Sequence, residues 1–182
     1  MKRQHPTSAY LAAGLDLLER DGYGGLKLAP LCAELDVTSG AFYHNFNSWS
    51  DYTSVLITHW KNDQTTALIE VIEAEATPAD QLQTLLDFTV QLRHRAEAAI
   101  RAWSSIDPEI GRVQASVDEA RISAAQAVIA GFQAPETAGR LARAAYQALV
   151  GFQVLDGSQD VSVLETSLGL VIQETLTSTP PR

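Results

Sequence analysis

The sequence predicts an all-α protein of about nine helices, and three observations carry that prediction. Apolar residues recur at three- and four-residue intervals, as in Tyr10, Leu11, Gly14, Leu15 and Leu18 and again in Leu164, Leu168, Val171 and Ile172, the period that gives a helix one buried stripe. Helix-start signals punctuate the stripes at Pro6, Ser48, Thr77-Pro78, Asp107-Pro108 and Ser162, where a capping side chain or a first-turn proline is favoured. No run carries the strict alternation of a half-buried strand. With 182 residues, 46% of them hydrophobic and 19% charged, the chain is a folded one, long enough for one large helical domain or a small domain fused to a medium one.

The first helix starts at Pro6-Thr7, where proline costs little because the first N–H groups of a helix have no partner inside it. It ends at Asp21-Gly22, and Gly22, Gly24 and Gly25 form a break before the next helix. Tyr23 is expected to pack back on a small core of Leu15, Leu31, Phe42 and Phe46. Leu28 to Leu35 makes a second short helix, with Pro30 in its tolerated first turn. Through Asp36-Val37 it leads to a third, running to Phe46, in which Thr38 and Ser39 are good N-cap residues. Phe42 and Phe46, four apart, anchor that helix inward. These three helices form a first domain over residues 1–47.

Ser48-Trp49-Ser50-Asp51 has capping-box spacing with Asp in the place of Glu or Gln, so a long helix begins at Ser48. Its stripe of Tyr52, Val55, Leu56, His59 and Trp60 fades near Glu73 to Ala76. Thr77-Pro78-Ala79-Asp80 opens the next helix, continued by Leu82, Leu85, Leu86, Thr89 and Leu92. After Arg93-His94-Arg95 a short helix, Ala96 to Ser104, carries Trp103. Asp107-Pro108-Glu109 starts another, whose stripe Val113, Val117, Ala120, Ala124 and Val128 extends to about Phe132. Glu136 to Leu155 follows, and Ser162-Val163-Leu164-Glu165 reads as a full capping box for the last helix. The second domain therefore spans 48–177, with 178–182 as a frayed tail.

Two short helices joined through Asp36-Val37 have helix-turn-helix spacing. On the outer face of the second, Ser39, Tyr43 and His44 offer hydrogen-bonding groups, while Gly40 and Ala41 leave its start without bulk. Such a helix can enter a major groove closely enough to touch base edges and phosphates. Gly22-Tyr23, the apolar helix after it and Val37-Thr38-Ser39-Gly40-Ala41-Phe42-Tyr43-His44-Asn45-Phe46 resemble the DNA-binding region of TetR-family transcriptional regulators, over the first third of the chain. Where family members carry a tight-turn glycine and two lysines, this chain has Asp36, Ser39 and Trp49. The resemblance implies a three-helix reading head, a larger bundle holding a small-molecule pocket, and a fourth helix acting as a lever between them.

Charge and composition limit the alternatives. The net charge is −9, adverse for a partner made of phosphates. From Met1 to Trp60 the cations Lys2, Arg3, Arg20 and Lys27 face Asp16, Glu19, Asp21, Glu34, Asp36 and Asp51, so the head is slightly acidic. Cys32 is the only cysteine, which excludes an intramolecular disulfide; it reads as a buried thiol on the inward side of its helix. His5, His44, His59 and His94 lack ligand spacing, so no metal is expected. Glu70, Glu73 and Glu75 read as a solvated helix face, and Gly22-Tyr23-Gly24-Gly25 follows a helix where a nucleotide fingerprint needs a strand. Nothing converges as a catalytic set, so the chain is not expected to be an enzyme. No apolar run reaches the roughly 18 to 20 residues that cross a bilayer, and the start, with Pro6 and no apolar stretch, is not a signal peptide. A cytoplasmic protein is expected, with no membrane partner.

The expected reading is a homodimeric repressor, released from a pseudo-palindromic double-stranded DNA operator by a small-molecule effector of unknown identity, without another cofactor. One short helix reads few base pairs, hence the need for two heads. The DNA-binding residues are Lys2, Arg3 and Lys27 at segment ends, Thr38, Ser39, Gly40, Tyr43 and His44 on the reading helix, and Ser48 at the next helix start. Pocket candidates are Trp60, Phe88, Leu92, Trp103, Val113, Val117 and Tyr146. Leu141, Ala145, Ala148, Leu149, Phe152, Leu164, Leu168, Val171 and Ile172 are the candidate dimer stripe. The alternative is a helical ligand-binding or interaction protein with a weakened or lost DNA-binding head.

Overall fold

The computed structural model describes residues 5–155 and 160–177, so the expectations for Lys2, Arg3 and the 178–182 tail lie outside the described residues. The described chain is helical, with no strand: α1 (Thr7–Asp21), α2 (Leu28–Glu34), α3 (Ser39–Tyr43), α4 (Trp49–Lys61), α5 (Ala67–Ala74), α6 (Pro78–Gln91), α7 (His94–Ser104), α8 (Pro108–Ile129), α9 (Pro135–Leu155) and α10 (Val161–Thr177). A 3₁₀ turn, Tyr23–Gly25, follows α1. Between α4 and α5 the helix does not stop but widens into a π turn, Asn62–Thr66. Counted as one, those two segments reduce the ten to the expected nine.

Contacts gather the chain into two compact units, residues 1–62 with 93–114 and residues 63–92 with 115–182. The expected boundary after residue 47 thus falls inside the first unit, which takes in α4 and α7 as well as the three short helices.

In the first unit α1 is the central element, packing on α2, α4 and α7. Tyr10, Leu17 and Leu18 are fully buried, and the Tyr10 ring meets Phe42 and Phe46 edge-on at centroid distances of 6.0 and 5.6 Å. The Tyr52 hydroxyl donates to the Tyr10 carbonyl at 3.0 Å, and Gly14 supplies the room for it: a Cβ there would overlap that hydroxyl. Two carboxylates of α1 hold the start of α7, Glu19 accepting the Ala96 N–H at 3.0 Å and Asp16 pairing with Arg93 at 2.7 Å. Tyr23 does not join the aromatic core around Phe42. It stacks on Trp103, centroids 5.0 Å apart and rings 20° from parallel, because the 3₁₀ turn that carries it lies against α7. Cys32 is a buried free thiol, and burial pushes its pKa up.

Three clusters hold the second unit: Leu92 with Leu149, Phe152, Leu164 and Leu168; Ala125 with Ile129, Ala138 and Ala142; and Leu68 with Ile72 and Val128. Gly131 lets the end of α8 approach Pro78, whose ring would meet an added Cβ at 2.8 Å. Thr77 caps α6 as expected, its Oγ1 accepting the Asp80 N–H at 3.1 Å. The box expected at Ser162 does not form. Asp160 Oδ1 instead accepts both the N–H and the hydroxyl of Ser162, at 3.1 and 2.7 Å, and α10 begins at Val161. A carboxylate is the stronger acceptor, and its charge suits the positive helix end.

Candidate functional site

The reading segment is built from one turn and one cap. After α2 the backbone reverses at Asp36, whose φ of 50° lies in the left-handed region, and the Val37 N–H returns to the Cys32 carbonyl at 2.9 Å. Thr38 Oγ1 then accepts the Ala41 N–H at 3.3 Å, fixing the start of α3. That helix has only 5 residues, shorter than the sequence pattern suggested. Its end is finished by side-chain and turn bonds: the Asn45 and Phe46 N–H groups both reach the Phe42 carbonyl, at 2.9 and 3.1 Å, and Asn45 Nδ2 donates to Ala41 O at 3.1 Å.

Phe42 is fully buried and Phe46 nearly so, whereas Thr38, Ser39, Gly40, Tyr43 and His44 are exposed, Tyr43 by 52%. One face is thus sealed into the head and the other is free and polar. Ser48 and Lys27 are exposed at the starts of α4 and α2. Ser48 Oγ accepts the Asp51 N–H at 2.9 Å, but the Asp51 carboxylate turns to the backbone and side-chain amides of Asn47, at 2.8 and 3.0 Å, instead of closing the box on Ser48. Trp49 lies on Tyr52 and Phe42, centroids 5.0 and 5.9 Å away.

A cavity of about 80 Å³ lies inside the second unit, walled by residues of α5, α6, α8, α9 and α10. Phe88, Leu92 and Tyr146 line it, as do Ala145, Leu149, Leu168, Val171 and Ile172 from the expected dimer stripe. Leu141, Phe152 and Leu164 pack in the adjoining clusters, and Ala148 is half-buried. Trp60 and Trp103 lie in the first unit, Trp60 buried with its Nε1 donating to the buried Glu97 carboxylate at 2.9 Å. Val113 is half-buried there too, and Val117, fully buried, is not part of the wall. No residue of α6 is fully buried, although Leu82, Leu85, Leu86 and Phe88 all face the space. The same four side chains pack against the buried clusters, so α6 serves as core and as cavity wall.

One cavity residue escaped the sequence reading. Arg121, 8% exposed, lines the space while its Nε donates to Thr65 Oγ1 at 3.1 Å and a terminal nitrogen to the Gln64 carbonyl at 3.0 Å, both in the π turn. Its signal was present: Ile110, Gln114, Val117, Arg121, Ala125, Val128 and Ile129 are the buried positions along α8, and Arg121 is the cation among them.

No family profile matches the chain, and no curated protein matches it in sequence. Solved structures do match over almost the whole length. A TetR transcriptional regulator from Legionella pneumophila aligns with a TM-score of 0.79 at 17% identity, covering 96% of this chain and 99% of that one. A TetR regulator from Haloarcula marismortui gives 0.75 at 16%, with 93% and 95% covered. The chain has the TetR fold. A third match, a transcriptional regulator from Saccharomonospora viridis solved in complex with choline, gives 0.73 at 15%, with 92% and 93% covered.

Within the TetR fold, the departures noted in the sequence acquire a structural meaning. Asp36 adopts the left-handed turn in which glycine is the cheaper residue. Trp49 adds to the aromatic packing around Tyr52, where a lysine would have reached outward. The last two helices present a second set of apolar residues to solvent: Val154, Leu155, Val163, Leu170 and Leu176 are each more than half exposed. An added Cβ at Gly151 or Gly169 meets nothing. Among the described residues no helix is long and apolar enough to cross a membrane, and no group of three or more His, Cys, Asp or Glu side chains gathers as a metal site.

Proposed function

We propose that this protein is a TetR-family regulator that binds operator DNA as a homodimer, acts as a cytoplasmic repressor, and leaves its operator when a small molecule fills the cavity of the second unit. The observation that carries the DNA-binding half is the division of α3 into a sealed face, Phe42 at 0% exposure, and a free polar face of Thr38, Ser39, Tyr43 and His44. That division serves recognition, since hydroxyl, phenol and imidazole groups can all reach base edges or phosphates. The apolar cavity that α6 helps to wall supports the ligand half. For the dimer, the exposed Val154, Leu155, Val163, Leu170 and Leu176 of α9 and α10 join the half-buried Leu141, Ala145, Ala148, Val171 and Ile172 as interface candidates. Regulators of this fold, not enzymes, are what the chain aligns with, and one of them holds choline.

Binding of the DNA upstream of the protein's own gene, followed by gel shift, tests the reading. Tyr43→Ala and His44→Ala should each weaken operator binding by roughly 1 to 3 kcal/mol while leaving the fold and the dimer intact. Unchanged affinity in the double variant would end the assignment. A second reading, a helical ligand-binding or interaction protein with a weakened or lost DNA-binding head, is favoured by the acidic head and by Ser39 and Trp49 in the places of lysines, and silence both upstream and in a genomic selection would favour it.

A further inference from the structure

The wall of the cavity offers a ligand almost nothing to hydrogen-bond. Among the described residues its polar members are Thr89, Arg121, Tyr146 and Thr175, and the rest are leucine, isoleucine, valine, alanine and phenylalanine. Each polar member is already engaged within the chain. Thr89 and Thr175 donate their hydroxyls to the carbonyls one turn back, Leu85 and Val171, at 2.7 and 2.8 Å. Tyr146 donates its phenol to Asp118 at 2.7 Å. Arg121 gives its Nε to Thr65 and a terminal nitrogen to the Gln64 carbonyl, at 3.1 and 3.0 Å. A hydroxyl or amide carried into this space leaves its water partners behind and finds the groups around it taken. That costs roughly ten- to a hundredfold in affinity, and a charge loses far more.

Size sets the other limit. The space measures about 80 Å³, against roughly 150 Å³ for a dry apolar cavity that admits benzene. At the ratio of about 25 Å³ per carbon that benzene needs there, about three heavy atoms fill it, and a fourth enters by slight displacement of a leucine end. A carboxylate group by itself would use up that allowance and bring a charge as well. The ceiling on binding per heavy atom for the smallest ligands puts the tightest dissociation constant for such a molecule at roughly 0.05 to 0.5 mM. A polar loss of about tenfold or more from that starting point ends useful binding.

We propose, resting on the reading of this cavity as the ligand site, that its ligand is a neutral molecule of about three or four heavy atoms without hydrogen-bonding groups, a short hydrocarbon or halocarbon. Dispersion contacts alone hold it. Leu68, Ala125 and Ile129 belong both to the wall and to the buried clusters of the second unit, so a molecule in the space adds contacts to α5 and α8 that the empty cavity lacks. A wall that cannot reward a polar group selects by exclusion, rejecting charge by desolvation and bulk by fit.

Dichloromethane, chloroform, acetonitrile, acetate, methylammonium and benzene, titrated into the full-length protein in sealed tubes and followed by proton NMR of the probe, separate size from polarity. Dichloromethane and chloroform should bind saturably, with dissociation constants below about 5 mM. Acetonitrile, acetate and methylammonium should bind at least about tenfold more weakly. Benzene should also be weaker by about tenfold or more, and Leu85→Ala, which shortens one leucine of the wall to a methyl, should bring it level with dichloromethane. Ala124→Leu, which fills the space from α8, should abolish halocarbon binding. If either variant does not fold, the wild-type order decides alone. Acetate or methylammonium binding as tightly as dichloromethane, benzene doing so in the wild type, or no saturable halocarbon binding below about 5 mM overturns the proposal. Operator binding, measured with each probe present, separates this inference from the function it rests on. Halocarbons that bind yet leave operator affinity unchanged sink the switch and keep the ligand class; operator release by acetate, methylammonium or benzene but by neither halocarbon does the reverse.

Discussion

Replacing Gly14 by alanine tests whether α4 is pinned to α1 as the structure has it. The new Cβ would overlap the Tyr52 hydroxyl and lie 3.1 Å from Leu56 Cδ2. Tyr52 is fully buried and donates to the Tyr10 carbonyl at 3.0 Å, so it cannot yield without losing that bond. Overpacking a filled site costs about 1 to 3 kcal/mol, and a buried hydroxyl left unpaired about 1 to 3 more. Alanine in mid-helix returns about 0.5 to 1 kcal/mol. Gly14→Ala should therefore lose about 3 kcal/mol of stability in urea titrations. Tyr52→Phe alone should lose about 1 kcal/mol. In the double variant the obstructing oxygen is gone and only the flexible end of Leu56 remains close, so the loss should fall short of the sum by about 1 to 2 kcal/mol. Losses that add to within about 0.5 kcal/mol would refute the contact, and with it the placement of α4 on α1.

Burial pushes the Tyr52 pKa well above its ordinary value of 10.0. The neutral phenol is favoured in the folded state, so its contribution is fully present below that ordinary value and lost as pH rises beyond it; alkaline titration should show a smaller loss in Tyr52→Phe than in the wild type. Asp36→Gly should raise stability by up to about 1 kcal/mol, since relief of the left-handed turn, about 1 to 2 kcal/mol, exceeds the entropy that glycine adds to the unfolded chain, about 0.5 to 1. Thermal unfolding with no gain would show the turn to be unstrained. Trp49→Lys should lose about 1 kcal/mol of aromatic packing on Tyr52 and Phe42, yet bind operator and random DNA more tightly at low salt. It should also steepen log K against log salt by up to about 2 per dimer from a wild-type slope no steeper than about −5. A wild-type slope near −10, or an unchanged one in the variant, would show the phosphate contacts to be misplaced.

The helices were legible because each advertises its own start: Ser48, Thr77 and Asp107 cap where their side chains said they would, at 2.9, 3.1 and 3.0 Å from the N–H groups they accept. The reading segment was legible for the same reason, Thr38 and the Phe42 and Phe46 pair being local signals. The π turn was not, because Asn62-Asp63-Gln64-Thr65-Thr66 continues a helical pattern, and the widening is tied to a bond from Arg121, 56 residues away from Thr65. The dimer and pocket assignments suffered from one ambiguity. An i, i+3, i+4 stripe says that a helix buries a face, but not against what; Leu149, Leu168, Val171 and Ile172 satisfy the pattern by walling a cavity in their own unit. Trp60 and Trp103 are pocket candidates through the family resemblance, Trp103 also through its short helix beside chain breaks; in the structure Trp60 donates to the Glu97 carboxylate and Trp103 stacks on Tyr23.

The acidic head is the fact that weighs most against DNA binding, and the ion pairs change its weight. Arg20 bonds to Asp21 and Glu34 at 3.0 and 3.1 Å, and these partners raise its pKa further. Arg93, which reaches the head from α7, pairs with Asp16 at 2.7 Å and stands 3.6 Å from Glu19. Four carboxylates of the unit are thereby partly neutralised, and so are two arginines that could otherwise have met phosphate. Asp36 stands at the entry to α3 and joins no ion pair among the described residues, while Asp51 occupies the first turn of α4, where its charge opposes the positive helix end that would draw in a phosphate. Repulsion is thus reduced without attraction being gained. A head of this kind has little nonspecific affinity to offer, because that term is almost entirely counterion release. On the proposed reading, its hold on an operator would come from hydrogen bonds of Thr38, Ser39, Tyr43 and His44, which are short-ranged and few. Two heads joined in one dimer make the second contact intramolecular and multiply a weak affinity without any new charge, so in this chain dimerisation would supply the affinity that the cations of the reading head cannot.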